Sequence, residues 1–426
     1  MNKIRIIIIV LVITFANTFA QNESLQDLID LALQVSPELK MIDAKINASE
    51  NRIQQNTNLP DPMLSFGVMS VPLPSFSFNK EMMTGKVVGL SQEFPFPGTL
   101  GSKEDAKSID VEIVKQEYND KRNEIIKDLT QSYYELIYFR KEIDLTEESQ
   151  RLMKQILEVS TSMYSVSEAS QQNIFRIDLE LTKMSEMITA LKSEEGEQLS
   201  TINSFLLRDP FAPLQTDSLS EISYLNIGID ELVSSAESNR PFLRGVQLAE
   251  DKEKLNQSIA EFDFYPMFKL SALYAFREDL EPGGMPQDNM LSVMLDVSIP
   301  LNYGGKVSAM VEETKSMQEM YHEQYSASVQ MLKREFGMSL AKLNSLKGRI
   351  ELVEQGSIIQ AKENFSSSLT AYQVGKIDFM NVIDAQNNLY TIEKNLYRLK
   401  TDYKKHVAEL EFLTGTKFQA NKSLGE

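Results

Sequence analysis

MLSVMLDVSIPLNYGG, residues Met290 to Gly305, alternates strictly. Leu291, Val293, Leu295, Val297 and Ile299 fall on one side of an extended chain, and Ser292, Met294, Asp296 and Ser298 on the other. A period of two marks a strand with one apolar face and one mostly wet face. The sequence around it reads as helix, so the question is what such a strand pairs with.

Three more stretches behave alike. DPMLSFGVMSV, opened by Pro62, puts Leu64, Phe66 and Val68 on one face and Ser65 and Gly67 on the other. The run ending GLSQEFPFPG groups Val88, Leu90 and Phe94 against Ser91 and Glu93. YPMFKLSALYAF groups Phe268, Leu270, Ala272, Tyr274 and Phe276 against Lys269 and Ser271. The spacing predicts strands over about 62–71, 86–96, 266–276 and 290–300, each about ten residues, the length of a tilted membrane-spanning strand. One architecture packs them as a small sheet on the helices. The other puts them in a membrane, where Glu93, Lys269 and Asp296 would face a water-filled lumen. The almost unbroken apolar faces and the loop-like connections VPLPSFSFNKEMMTG and REDLEPGGMPQDN favour the membrane. Lipid cannot satisfy an open sheet edge, and barrels need about eight strands. Copies of the chain must therefore pool their strands, two copies giving eight and three giving twelve with a wider bore.

The chain repeats. SLQDLIDLALQVSPEL breaks at Pro37 and IDELVSSAESNRPFL at Pro241; strands open at Pro62 and Pro266 and exit at Pro95 and Pro300. The offsets are 241−37 = 204, 266−62 = 204 and 300−95 = 205, a constancy expected of an internal duplication. Each half then runs without proline, from about Gly101 to Leu207 and from about Lys306 to Leu413. Each run has one turn signal, MYSVSEAS near Ser167 and AYQVGKIDF near Gly375, so each is expected to be a hairpin of helices of about 60 and 40 residues. Val382, Ala385, Leu389, Ile392, Leu396, Leu399, Tyr403, His406, Leu410 and Leu413 form a heptad seam, with His406 a covered seam residue; Ile126, Leu129, Tyr133, Leu136 and Ile143 step alike.

Composition narrows the function. The net charge of −18 argues against binding nucleic acid through phosphate. With no cysteine and two histidines, thiolate and histidine metal sites are not expected, and no phosphate loop or nucleophile motif stands out. The expectation is no enzyme, no catalytic residue, no metal site and no cofactor. Residues 1–20 read as a cleaved secretory signal: Asn2-Lys3-Ile4-Arg5, an apolar run from Ile6 to Phe15, and Thr18-Phe19-Ala20 before the cut. Without cysteine, anchoring through a lipidated N-terminal cysteine is not expected.

The proline-framed strands with SQEFPFPGTLGSK, SIPLNYGGKVSAMVEE and AYQVGKIDFMNVIDAQNNLY, and the heptad helix ending EFLTG, resemble the TolC-like outer-membrane efflux proteins over essentially the whole mature chain. The resemblance implies a mainly α fold with a transmembrane β part: a tandem-repeat protomer giving four strands to a trimeric 12-stranded outer-membrane β-barrel, continued by a long α-helical coiled-coil barrel in the periplasm. The halves would be 21–208, with its hairpin tip near 164–170, and 231–415, with its tip near 374–378. An equatorial segment, 209–230, joins them, and 416–426 is a tail.

The resemblance also implies a periplasmic adaptor and an inner-membrane pump, of the resistance-nodulation-division type, as partners. The duct would pass drugs or other small molecules, or heavy-metal cations, FPFPG being similar to members that serve copper or silver pumps. Protein secretion with an ABC exporter, or a soluble periplasmic scaffold, are the alternatives. The family's periplasmic gate maps onto Asp378, Asn381 and Asp384, with only Asp384 keeping an acidic gate position and the family's basic residue falling near Lys376 or Ile377; Asp378 could instead cap a helix. Val374, Gly375 and Lys376, and Val166, Ser167 and Glu168, are the expected adaptor contacts. Pro95, Pro97, Gly98, Pro300, Gly304 and Gly305 would form the elbows between strand and helix.

Overall fold

The computed structural model describes residues 24–73, 75–167, 170–281, 284 and 286–418. The segment read as a secretory signal, Glu168 of the first tip and the tail beyond 418 lie outside the described residues.

The element order is α1 (Leu25–Val35), α2 (Pro37–Thr57), β1 (Met63–Met69), β2 (Gly85–Phe94), α3 (Thr99–Ser165) and α4 (Gln171–Phe205). A non-helical segment then leads to α5 (Ile229–Asn239), α6 (Pro241–Phe262), β3 (Phe268–Phe276), β4 (Met290–Val297), α7 (Lys306–Leu352), α8 (Ile358–Gln373) and α9 (Phe379–Thr414). The same succession of two helices, two strands and a long helical hairpin occurs twice. Local chemistry sets the boundaries. Ser24 and Asp27 form a reciprocal capping box on α1. Pro37 and Pro241 open α2 and α6 at the position where a missing N–H costs nothing. Gly415 ends α9 at φ 72°.

The four strands make one antiparallel sheet in the order β1-β2-β3-β4. Its register aligns every apolar face. Phe66 lies opposite Val88, Val88 opposite Tyr274 and Tyr274 opposite Leu291. Leu64, Leu90, Ala272 and Val293 form the next row. Directly opposed residues share a side of the sheet, so one side is aliphatic and aromatic across all four strands. β1 and β4 are open edges among the described residues.

The strands are shorter than the sequence spacing suggests. β2 stops before Pro95, which cannot donate to a ladder, and β4 stops at Val297, three residues before Pro300. The helical arms also differ from the expected lengths. α3 runs 67 residues unbroken and α4 35. The matching arm of the second half is interrupted: a π-helical turn, Val353–Ser357, separates the 47 residues of α7 from the 16 of α8. In the seam on α3, Ile125 rather than Ile126 is fully buried, with Leu129, Tyr133, Leu136 and Ile143.

Contacts divide the chain into two compact units. One holds Met41–Tyr118 and Phe242–Ser328, with the sheet, α6 and most of α2. The other holds the hairpin ends, α1, α5 and the segment between the halves.

Candidate functional site

In the unit that contains the sheet, the side opposite the apolar face carries a charged row. Glu93 is paired in register with Lys269, and Lys269 with Asp296. Lys269 Nζ sits 3.6 Å from a Glu93 carboxylate oxygen. The three residues assigned to a lumen from alternation alone thus stand side by side. The close packing of this side depends on Gly89: a Cβ there would come within 2.6 Å of Ser65 Oγ and 3.3 Å of Leu273.

The elbows follow directly. After Pro95, the Thr99 N–H donates to the Phe96 carbonyl at 3.1 Å. Gly98 takes φ 98° with the Phe262 ring 3.1 Å from where a Cβ would stand. Beyond β4, Asn302 and then Gly304 and Gly305 turn through positive φ. Asn302 is an elbow residue that the proline and glycine pattern missed: its Oδ1 accepts from the Val307 N–H at 2.9 Å and its Nδ2 donates to Ser308 Oγ at 2.8 Å, capping α7.

The other unit holds the tips. Ser167 (φ 63°) and Gly375 (φ 69°) both adopt the left-handed conformation that turns a hairpin. Val166, Val374 and Lys376 are exposed beside them. The Asp378 carboxylate accepts from the Met380 N–H at 2.8 Å and caps α9. Asn381 and Asp384 are exposed one turn apart on that helix. Below the turns, Met153, Ile156, Ile177, Tyr372, Phe379, Val382 and Ile383 form one apolar cluster joining both hairpins.

Farther from the tips, α3 and α9 are joined by a ladder of polar contacts. Gln386 Nε2 donates to the Ser149 carbonyl at 3.0 Å, and Tyr390 meets Thr146 at 3.0 Å. Glu142 pairs with Lys394 at 3.4 Å. Glu135 takes both Arg398 and Lys405 at 2.5 Å, and Asp402 braces the same two cations. Burial disfavours the Glu135 charge, but hydrogen bonds from Lys405 and Arg398 outweigh it and hold its carboxyl below the ordinary range. This clasp borders an open crevice of about 850 Å³ with Gln131, Lys342, His406 and Glu409. His406 is half-buried there, and burial and the Lys342 cation hold its pKa below the ordinary value.

Steps of four and three from Asp384 reach Asn388, Thr391, Asn395, Arg398, Asp402, Lys405 and Glu409, all polar. This spacing keeps them on one face of α9, beside the buried stripe of Val382, Leu396, Leu399, Tyr403, Leu410 and Leu413. The exposed acid near the tip and the crevice residues therefore share one wet helical face.

Residues 232–416, nearly the whole second half, match the family model described as "Outer membrane efflux protein". Cation efflux system protein CusC of Escherichia coli O6:H1 is 23% identical over 420 residues, covering 93% of this chain and 86% of CusC. Outer membrane protein TolC of Vibrio cholerae is 20% identical over 240 residues, covering 55% of this chain and about half of TolC (52%). The solved outer-membrane channel OprN superposes with a TM-score of 0.77 at 15% identity, over 92% of this chain and 89% of its own. The chain thus has the fold of solved outer-membrane channels.

Proposed function

We propose that this protein is an outer-membrane efflux protein, the passive exit duct of a tripartite pump. Three copies pool their strands into a twelve-stranded barrel, and the helical hairpins extend the tunnel through the periplasm to an adaptor and an inner-membrane pump of the resistance-nodulation-division type. The carrying observation is the register: four strands with one continuous apolar side, the row Glu93–Lys269–Asp296 on the other side, and two open edges. Such a sheet is stable in lipid only when copies close it.

On this reading the wet face of α9 lines the tunnel, Asp384 marks its narrow periplasmic end with Asn381 and Asp378 beside it, and Val166, Ser167, Val374, Gly375 and Lys376 meet the adaptor. The chain is organised as repeats 21–208 and 231–415, joined by an equatorial segment 209–230, with a tail from 416 and an exported start that loses a leader. Small molecules or heavy-metal cations are the substrates, and the similarity to a protein named as a cation efflux system adds weight to the cations.

Two measurements test this. Purified protein should form ion-conducting pores in planar bilayers, and absence of pores overturns the reading. Deletion in a strain retaining the neighbouring pump should raise sensitivity to metal salts, to drugs, or to both. Loss of a secreted protein with unchanged sensitivities would favour the type I secretion duct instead.

A further inference from the structure

The wet side of the sheet carries methionine at both open edges. Met63 and Met69 on β1 alternate onto the side of Ser65 and Gly67, and Met290 and Met294 on β4 onto that of Ser292 and Asp296. The register agrees. Met63 lies opposite Ser91, two residues from Glu93, and Met294 opposite Ser271, two residues from Lys269. The four side chains are between 38% and 61% exposed. Ser65, Gly67 and Ser292 beside them are too small to cover them.

Neither usual reason for a large apolar side chain holds at these positions. The face read as lipid-facing has the other parity, with Leu64, Phe66 and Val68 on β1 and Leu291, Val293 and Leu295 on β4. The two edges of one copy cannot pack on each other either. β2 and β3 lie between them, and three strand spacings of about 4.8 Å put β1 roughly 14 Å from β4.

Closing the sheet with copies brings the edges together. Strand direction alternates through the sheet, so β4 of one copy meets β1 of the next antiparallel. A register that keeps the wet sides together can slip only in steps of two. Pairing β1 over its whole length, 63–69 against 290–296, sets Met290 directly opposite Met69 and Met294 diagonal to Met63. A slip of two one way sets Met294 opposite Met63, and a slip of two the other way sets Met294 diagonal to Met69. Opposed Cβ atoms are about 5 Å apart and diagonal neighbours about 7–8 Å, within reach of two unbranched, flexible side chains that converge on one ion. Each of these registers thus couples methionines across the seam.

The chemistry of a thioether pair selects its ligand. Thioether sulfur is a soft, uncharged donor, which suits Cu(I) and the equally soft Ag(I) and not a hard cation. One row along, Glu93, Lys269 and Asp296 supply two acids to one base, a balance that admits cations. Neutral donors also hold an ion weakly enough to release it, as conduction requires.

We propose that Met290 and Met294 of one copy, with Met63 and Met69 of the next, form a lumen-side site for a soft monovalent cation, Cu(I) or Ag(I), at the seam between copies. The proposal rests on the exit-duct reading and names the class of its cargo.

Oxidation footprinting tests it on the unmodified full-length protein. Dilute hydrogen peroxide converts exposed methionine to the sulfoxide, and a metal on the sulfur blocks that attack. With Ag(I) in chloride-free buffer, Met63, Met69, Met290 and Met294 should oxidise about fivefold more slowly by peptide mass spectrometry, while the exposed loop pair Met82 and Met83 keeps its rate. Zn(II) should protect none of them. The fourfold variant Met63→Leu, Met69→Leu, Met290→Leu, Met294→Leu, with unchanged circular dichroism, should bind Ag(I) about tenfold more weakly in calorimetry, and Met82→Leu with Met83→Leu should not. Seam methionines that Ag(I) leaves unprotected overturn the site, as does protection by Zn(II) or a fourfold variant of unchanged affinity. Pore formation by the unmodified protein in bilayers separates the two readings: pores without Ag(I) protection overturn this site alone, and absence of pores overturns the duct.

Discussion

The hydroxyl of Tyr372 lies 2.7 Å from that of Ser160, and both residues are buried. The bond ties α8 to α3 beside the apolar cluster of the tips, and so ties one hairpin to the other within a protomer. Tyr372→Phe removes it while keeping the ring that packs on Phe379 at 5.7 Å. The expected cost is about 1 kcal/mol, for a lost hydrogen bond and an unpaired hydroxyl. On the proposed reading the tips loosen, and single-channel conductance in bilayers rises. Unchanged conductance together with a lowered Tm would make the bond purely structural.

Glu135 makes stability depend on pH. Its folded pKa lies below the unfolded one, so its contribution is complete above the ordinary carboxylate value of about 4.3 and is lost as pH falls through the folded value. His406 is also held below its ordinary value, so its contribution is complete above about pH 6.5 and declines as acid protonates it. Acid unfolding should therefore show two steps. His406→Gln should flatten the upper step alone. Glu135→Gln should shrink the lower one and cost roughly 2 kcal/mol at neutral pH by weakening two charge-assisted hydrogen bonds. Denaturant titrations across pH measure both.

Leu207 is strained. It sits at φ 53° just beyond α4, the left-handed position that Gly415 fills beyond α9. Its side chain is 58% exposed, so little packing is lost on truncation. Leu207→Gly should stabilise the fold by about 0.5–1 kcal/mol, the relief of left-handed strain less the added freedom of the unfolded chain. A higher denaturant midpoint checks it.

Gly415→Ala tests the same geometry in reverse. A Cβ there would stand 2.5 Å from the Asn239 carbonyl oxygen, on top of the unfavourable φ of 72°. Backbone cannot retreat as a flexible side chain can, so a loss of about 2–3 kcal/mol is expected, read as a fall in Tm.

Asp384 carries no hydrogen bond or ion pair among the described contacts and is exposed on the wet face of α9. On the proposed reading, three copies around the tunnel axis would focus a negative potential. Asp384→Ala should reduce the cation preference of the bilayer pore without altering Tm, measured by reversal potentials in a salt gradient.

Much of the fold was legible because it is locally encoded. Period-two alternation under a lipid-on-one-side, water-on-the-other constraint specified which residues share a face, and the register of Phe66, Val88, Tyr274 and Leu291 follows that grouping. Gly375 and Ser167 announced their turns, and Asp378 its cap. What escaped notice depends on partners remote in sequence. Tyr372 and Ser160 are 212 residues apart, and Glu135 meets cations 263 and 270 residues away. The π turn escaped for a different reason: Gly356 looks in sequence like Gly337 and Gly348, which remain helical. Leu207 escaped because a leucine does not advertise a left-handed turn.

That π turn sets the two hairpins apart. The first rises on α3 as an unbroken rod, while the second rises on α7 and α8 through a turn whose glycine has open space around it and which Glu354 braces to Lys400 at 2.5 Å. Around a closed assembly of copies, stiff and compliant staves would alternate. On the proposed reading, the mouth of such a cask would widen by yielding at every second stave, a freedom that a ring of uniform rods would lack.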